Sequence, residues 1–111
     1  MLDKRNFYIN GAWVAPIDGR DLDVIDPSTE ESVAVISLGG KADTDAAVAA
    51  AKAALPGFMY SDPQSRLELV KRILEVYKAR NDEMGEAISL EMGAPVDMAK
   101  TSQSGSGTWH I

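Results

Sequence analysis

Apolar and polar positions follow short, strand-like runs over the first forty residues and switch to helical spacing beyond them. Phe7-Tyr8-Ile9, Asn10-Gly11 and Ala12-Trp13-Val14 read as two strands around a two-residue turn. Asn-Gly accepts the positive φ of a type I′ turn, and aromatic and β-branched residues flank it. Tyr8 and Trp13 sit on opposite arms, where cross-strand aromatic packing is the ordinary use of such a pair. Pro16 and Asp18-Gly19 end the second strand. Leu22, Val24 and Ile25 predict a third short strand, Asp26-Pro27-Ser28-Thr29 a turn, and Ser32 to Leu38 a fourth strand stopped by Gly39-Gly40.

From residue 41 the period becomes helical. Asp43 to Leu55 is alanine-rich, and Ala47, Val48, Ala51 and Leu55 form its apolar side. Pro56-Gly57 predicts its end. Asp62-Pro63 predicts a capped start with proline at the first helical position. Leu67, Val70, Ile73, Leu74 and Tyr77 then recur at three- and four-residue spacing. Asn81 or Asp82 predicts the cap of a third helix, with Met84, Ala87, Ile88 and Met92 inward and Gly93 as its C′ residue. Met84, Met92 and Met98 read as core filler. Pro95 opens a fourth helix. The tail Thr101 to Thr108 has the composition of a flexible linker. The chain is thus an α+β mixture: a β arm over residues 1–40 and a helical segment over 41–111.

Composition narrows the chemistry. The 111 residues hold no cysteine and one histidine, His110, which excludes disulfides, a cysteine nucleophile and a multi-histidine metal site among them. The formal net charge is −6, so a phosphate backbone is an unfavourable partner and nucleic acid is not expected. No signal-like segment and no apolar run of membrane-spanning length occurs, so the expected location is cytoplasmic, without a membrane partner. Residues 1–40 carry 7 acids against 3 bases, and residues 41–100 carry 10 against 8. The acidic stretch from Asp18 to Glu31 lacks the spacing of a calcium loop and reads as solvated turns. Gly105-Ser106-Gly107-Thr108 lacks both the Lys of a P-loop and a preceding strand. Glu83, Glu86 and Glu91 invite a paired-carboxylate reading, but positions 83 and 86 share a face only roughly and both fit the solvent side of a helix, with nothing to raise a pKa for acid catalysis. No catalytic and no cofactor-binding residue emerges from the residues alone.

The order of segments resembles the N-terminus of the NAD(P)-dependent aldehyde dehydrogenase superfamily. Phe7 to Val14 is similar to that family's F-I-x-G-x-W-V hairpin. Asp26-Pro27-Ser28-Thr29-Glu30-Glu31 is similar to its N-P-x-T-G-E turn, with Asp26 for Asn and Glu30 for Gly. Asp43 to Ala54 resembles its D-V-D-x-A-V-x-A-A-x-x-A helix. Phe58 stands where the family commonly has Trp, and Arg66 falls at the spacing of its next-helix Arg. Glu91-Met92-Gly93-Ala94-Pro95 resembles its E-x-G-K-P element, with Ala94 for Lys.

The resemblance implies an oxidoreductase. A cysteine thiolate attacks the aldehyde, the thiohemiacetal gives hydride to NAD or NADP, and a carboxylic acid leaves by hydrolysis. It also implies that this chain is the N-terminal part of the cofactor-binding domain, truncated near Ile111. The chain would then be inactive alone and bind no dinucleotide alone. Its partners would be the remainder of the enzyme, a small aldehyde in the full protein, and further copies in a homo-oligomer. The tail Thr101–Ile111 would continue a helix. Some members hold a monovalent cation on backbone carbonyls near the turn and the E-x-G element, which brings in Val24, Ile25 and Glu91. The alternative is a small non-enzymatic helical module that binds a protein partner through an exposed apolar face.

Overall fold

A computed structural model describes all 111 residues. They divide into two units, residues 1–25 with 32–60, and residues 26–31 with 61–111.

In the first unit, strand β1 (Leu2–Lys4) precedes the hairpin of β2 (Phe7–Ile9) and β3 (Ala12–Val14). The hairpin register is Phe7↔Val14, Tyr8↔Trp13 and Ile9↔Ala12. Asn10 has φ 53° and Gly11 φ 77°, the positive pair that a type I′ turn requires. The Tyr8 and Trp13 rings meet edge-on with centroids 5.2 Å apart. β4 (Arg20–Asp26) is longer than the sequence suggests, and β5 (Glu31–Leu38) is the middle strand of a sheet ordered β1-β5-β4. A central strand is covered on both sides by its neighbours, and here only β5 contributes a buried apolar residue, Ala34.

β1 was not expected. Leu2-Asp3-Lys4 carries no apolar alternation, yet it pairs parallel to β5 with Leu2↔Ala34 and Lys4↔Ile36. The open edge of β5 supplies what local propensity does not.

Helix α1 (Lys41–Met59) runs through Pro56, which corrects the expected stop. Proline's φ is already helical, and its missing N–H removes one intrahelical bond only, near the helix end. The Tyr60 N–H still donates to the Pro56 carbonyl at 3.2 Å. At the other end, the Asp43 carboxylate accepts the Gly40 N–H at 2.9 Å, reaching back over the first turn.

In the second unit, α2 (Pro63–Ala79) starts as expected: Asp62 accepts the Ser65 N–H at 3.0 Å, ahead of Pro63. α3 (Asn81–Met92) follows after Arg80 alone. Neither Asn81 nor Asp82 caps it. Arg80 holds the cap position with φ −109° and ψ 12°, and no side chain bonds there. Gly93 ends α3 in the left-handed conformation, φ 70°, and its N–H donates to Ser89 at 2.9 Å.

α4 (Val96–Met98) opens after Pro95 and passes without a break into a wide π turn (Ala99–Gln103), a tight 3₁₀ turn (Ser104–Ser106) and α5 (Gly107–His110). The linker reading of the tail is therefore corrected, and its helical continuation holds. Small and hydroxyl side chains look flexible by composition. Here they let the segment lie close to α3, where Ala99 and Ser104 are the most buried residues.

The inward face of α3 also differs from expectation. Asn81, Gly85, Ile88 and Ser89 are its covered positions, while Met84, Ala87 and Met92 face solvent. Met84, Met92 and Met98 are 45%, 62% and 47% exposed, so none fills a core within these residues.

Candidate functional site

The first unit holds an open hollow of about 1030 Å³ beside the hairpin, bordered by β1, Trp13, the 15–19 loop and Asp21. The Arg5 guanidinium lies along it and is doubly paired, at 2.7 Å to Asp3 and 3.2 Å to Asp21. These hydrogen bonds lower the Asp3 carboxyl to about 2 and raise Arg5. The guanidinium is thereby neutralised in place. Its lining includes Asp3, Lys4, Asp18, Asp21 and Ser37, with no histidine and no cysteine.

The loop wall is fixed by Asp43. Its second carboxylate oxygen accepts the Ile17 N–H at 2.7 Å, so one side chain holds both the loop and the start of α1. These backbone donors, Ile17 first and Gly40 next, lower its pKa.

The second unit carries a polar cluster that sequence reading missed. Asn81 donates from Nδ2 to the Lys100 carbonyl at 3.0 Å and accepts the Ser104 hydroxyl at 3.0 Å. The one Ser104 hydroxyl proton is shared with Lys100 O, 3.1 Å from Oγ. Tyr77 turns its hydroxyl onto the Ser104 carbonyl at 2.7 Å. Lys100 pairs with Glu86 at 2.8 Å and more distantly with Asp82 at 3.9 Å, which raises its pKa, the Glu86 bond first. One signal was present in the sequence. Gly85 sits mid-helix without a turn to justify it, and an interior helical glycine often marks a close approach.

Val24 and Ile25 lie on β4 in the first unit, and Glu91 lies in the last turn of α3 in the second. No group of three or more His, Cys, Asp or Glu is arranged to hold a metal ion. Glu83 is exposed and paired with Arg80, and Glu86 is exposed and paired with Lys100. Gly105, Ser106 and Gly107 lie inside a helical run, not between a strand and a helix N-terminus, so they make no dinucleotide cradle. No helix is long and apolar enough to cross a membrane.

The apolar stripes are real but uncovered. Val48 and Leu55 on α1 are 46% and 52% exposed, and Leu67 and Ile73 on α2 are 47% and 49%. The accessible surface is 8212 Å², about a third more than the ~6,000 Å² expected of a self-contained folded chain of this mass. Ala34 and Ala99 are the only apolar side chains that are buried, and Ala34 is still 8% exposed.

A three-stranded sheet with one parallel pair, a separate hairpin and the helices that follow make these residues an α+β segment. Its family is settled by comparison. The chain belongs to the aldehyde dehydrogenase family, whose model matches residues 13–108. A curated relative, 3-succinoylsemialdehyde-pyridine dehydrogenase from a Pseudomonas species, is 41% identical over 112 residues, covering 100% of this chain and 24% of its own length. The crystal structure of an aldehyde dehydrogenase from Bartonella henselae superposes with a TM-score of 0.96 at 52% identity, over 99% of this chain and 23% of that one. A mutant of aldehyde dehydrogenase C from Pseudomonas syringae, solved with NAD+ and octanal, gives 0.92 at 42% identity, over 96% of this chain and 22% of that one. The chain spans about a quarter of the length of these relatives.

Proposed function

We propose that these residues form the N-terminal scaffold of an enzyme that oxidises aldehydes to carboxylic acids with NAD(P)+ through a cysteine thiohemiacetal. The observation that carries the reading is the superposition on the Bartonella henselae enzyme over 99% of this chain at 52% identity. With no cysteine among the 111 residues, the nucleophile belongs to polypeptide outside them. In this reading the contacts to the dinucleotide lie outside them as well. The segment is the leading part of the cofactor-binding domain, and the uncovered stripes of α1 and α2 are faces that the rest of the enzyme packs against. The complete enzyme is cytoplasmic and homo-oligomeric in this reading. NAD is the favoured dinucleotide, because the similar aldehyde dehydrogenase C was solved with it.

The test is NAD(P)H formation on adding an aliphatic aldehyde. The natural polypeptide carrying these residues is expected to reduce the cofactor, and the 111-residue chain alone to be silent. Turnover by the isolated chain, dependent on the aldehyde, would sink the proposal.

The alternative, a small interaction module, draws support from the same exposed stripes. It requires an 11.9 kDa polypeptide in the native source, and a several-fold larger intact mass removes it.

A further inference from the structure

The helical run from Val96 to His110 contains one turn of the wrong width, and side chains outside that run hold it there. In an α-helix the Lys100 carbonyl would accept the Ser104 N–H, four residues on. Instead the Ser104 N–H donates to Ala99, five residues back. The Lys100 carbonyl is filled from the side, by Asn81 Nδ2 at 3.0 Å and by the Ser104 hydroxyl at 3.1 Å. Asn81 Oδ1 lies 3.0 Å from the same hydroxyl, whose single proton is shared between that oxygen and the Lys100 carbonyl, so amide, hydroxyl and carbonyl close a triangle. Ser104 is 1% exposed, so water cannot take over these bonds.

Two further residues agree with this arrangement. Gly85 has no side chain where the wide turn approaches α3, and a Cβ there would lie 2.8 Å from Lys100 Cα. Tyr77 draws the Ser104 carbonyl toward α2 with a 2.7 Å bond. A π turn is costly in isolation and persists where something compensates it.

We infer that Asn81 is a register latch: by occupying the Lys100 carbonyl it holds one extra residue in the turn and thereby sets the direction of Gly107–His110. Each helical residue advances the side chain by about 100°, so absorbing or releasing one residue rotates everything downstream by that angle. With the latch closed, Gly107 lies against the Tyr77 ring, where a side chain would collide, while Trp109 stands 88% exposed. With it open, a bulkier position would meet Tyr77 and Trp109 would turn away from its present direction. Asn81 is a positioning residue for whatever Trp109 and His110 contact.

The experiment is the crystal structure of the natural polypeptide carrying Asn81→Ala, paired with hydrogen exchange. The expected result is closure to α register, with the Ser104 N–H on Lys100 O and Trp109 rotated by about 100°. Retention of the Ser104-to-Ala99 bond and of the Trp109 direction overturns the inference. Should Asn81→Ala not fold, Asn81→Asp keeps the acceptor for Ser104 but cannot donate to Lys100. Exchange of amides 100–107 in that variant is expected to rise about five- to tenfold, as for loss of one buried hydrogen bond, with α2 unchanged. Unaltered exchange across 100–107 refutes the latch.

Discussion

Glycine-to-alanine exchange at two helical positions is expected to give opposite signs. Gly85 lies in the interior of α3 and is buried. A Cβ built there comes within 2.8 Å of Lys100 Cα and 3.0 Å of Lys100 N. These are backbone atoms, so no rotamer change relieves the overlap, and α3 must part from the π turn. Overpacking of this kind costs about 1–3 kcal/mol. Alanine returns up to about 1 kcal/mol through helix propensity. The net expectation is a loss of about 1–2 kcal/mol, or a five- to thirtyfold faster opening of α3. Gly57, in α1, has nothing within 4 Å of its added Cβ. There only the propensity gain remains, up to about 1 kcal/mol and less near the helix end. Native-state hydrogen exchange of the α3 and α1 peptides, in the natural polypeptide, reads both effects locally. A Gly85→Ala variant with unchanged or slower α3 exchange would refute the close approach.

Other substitutions test single links. Asp62→Ala removes the cap of α2 and is expected to cost about 1 kcal/mol, seen as faster exchange in the first turn of α2. Tyr77→Phe loses the bond to the Ser104 carbonyl, about 1 kcal/mol, with the ring packing retained; an effect at α1 instead of the 104–107 segment would contradict the assignment. For Asp43 the folded pKa lies below the ordinary 3.8 because Ile17 and Gly40 donate to its carboxylate. Its stabilisation is therefore complete above that ordinary value and is lost as pH falls through the lowered one. Amide exchange at Ile17 is expected to accelerate over that acid window in the wild type, and Asp43→Asn should abolish the dependence.

How much was legible follows from where each signal lived. The hairpin was readable because Asn10 and Gly11 specify a turn type by their own backbone preferences, and the register follows. Asp62-Pro63 and Gly93 were readable for the same local reason. β1 was not, because its partner strand lies some thirty residues away in sequence and its own three residues carry no pattern. The π turn was invisible: its cause is an amide on α3 reaching a carbonyl on the next helical run. Propensity assigned Ser and Gly there to a linker, and only the family resemblance pointed the right way. Pro56 misled in the opposite sense, since a proline near a helix end removes one bond without breaking the helix.

Of the candidate site, the Asn81, Lys100 and Ser104 cluster was not legible in the sequence, because it depends on how the helical run packs against α3. Periodicity reports which face of a helix is apolar, and it cannot report what covers that face. On α2 the stripe Leu67, Val70, Ile73, Leu74 and Tyr77 is genuine, yet only Leu74 and Tyr77 are partly covered. On α3 three of the four covered positions are small or polar, Asn81, Gly85 and Ser89 beside Ile88, and at Gly85 that face meets a neighbouring backbone at close range. The exposed faces carry Met84, Met92 and Met98, adaptable side chains suited to packing against a further surface. Close-packed faces within the chain and loosely adaptable ones outside it are the expected division when a segment is built to be enclosed by a larger fold. Alanine at Leu67 or Ile73 should therefore cost about 2–5 kcal/mol in the natural polypeptide, as for a core residue. In the 111-residue chain alone, where both side chains are half exposed, it should cost well under that. Equal losses in the two contexts would mean that nothing outside these residues covers the stripe, and the scaffold reading would fall with it.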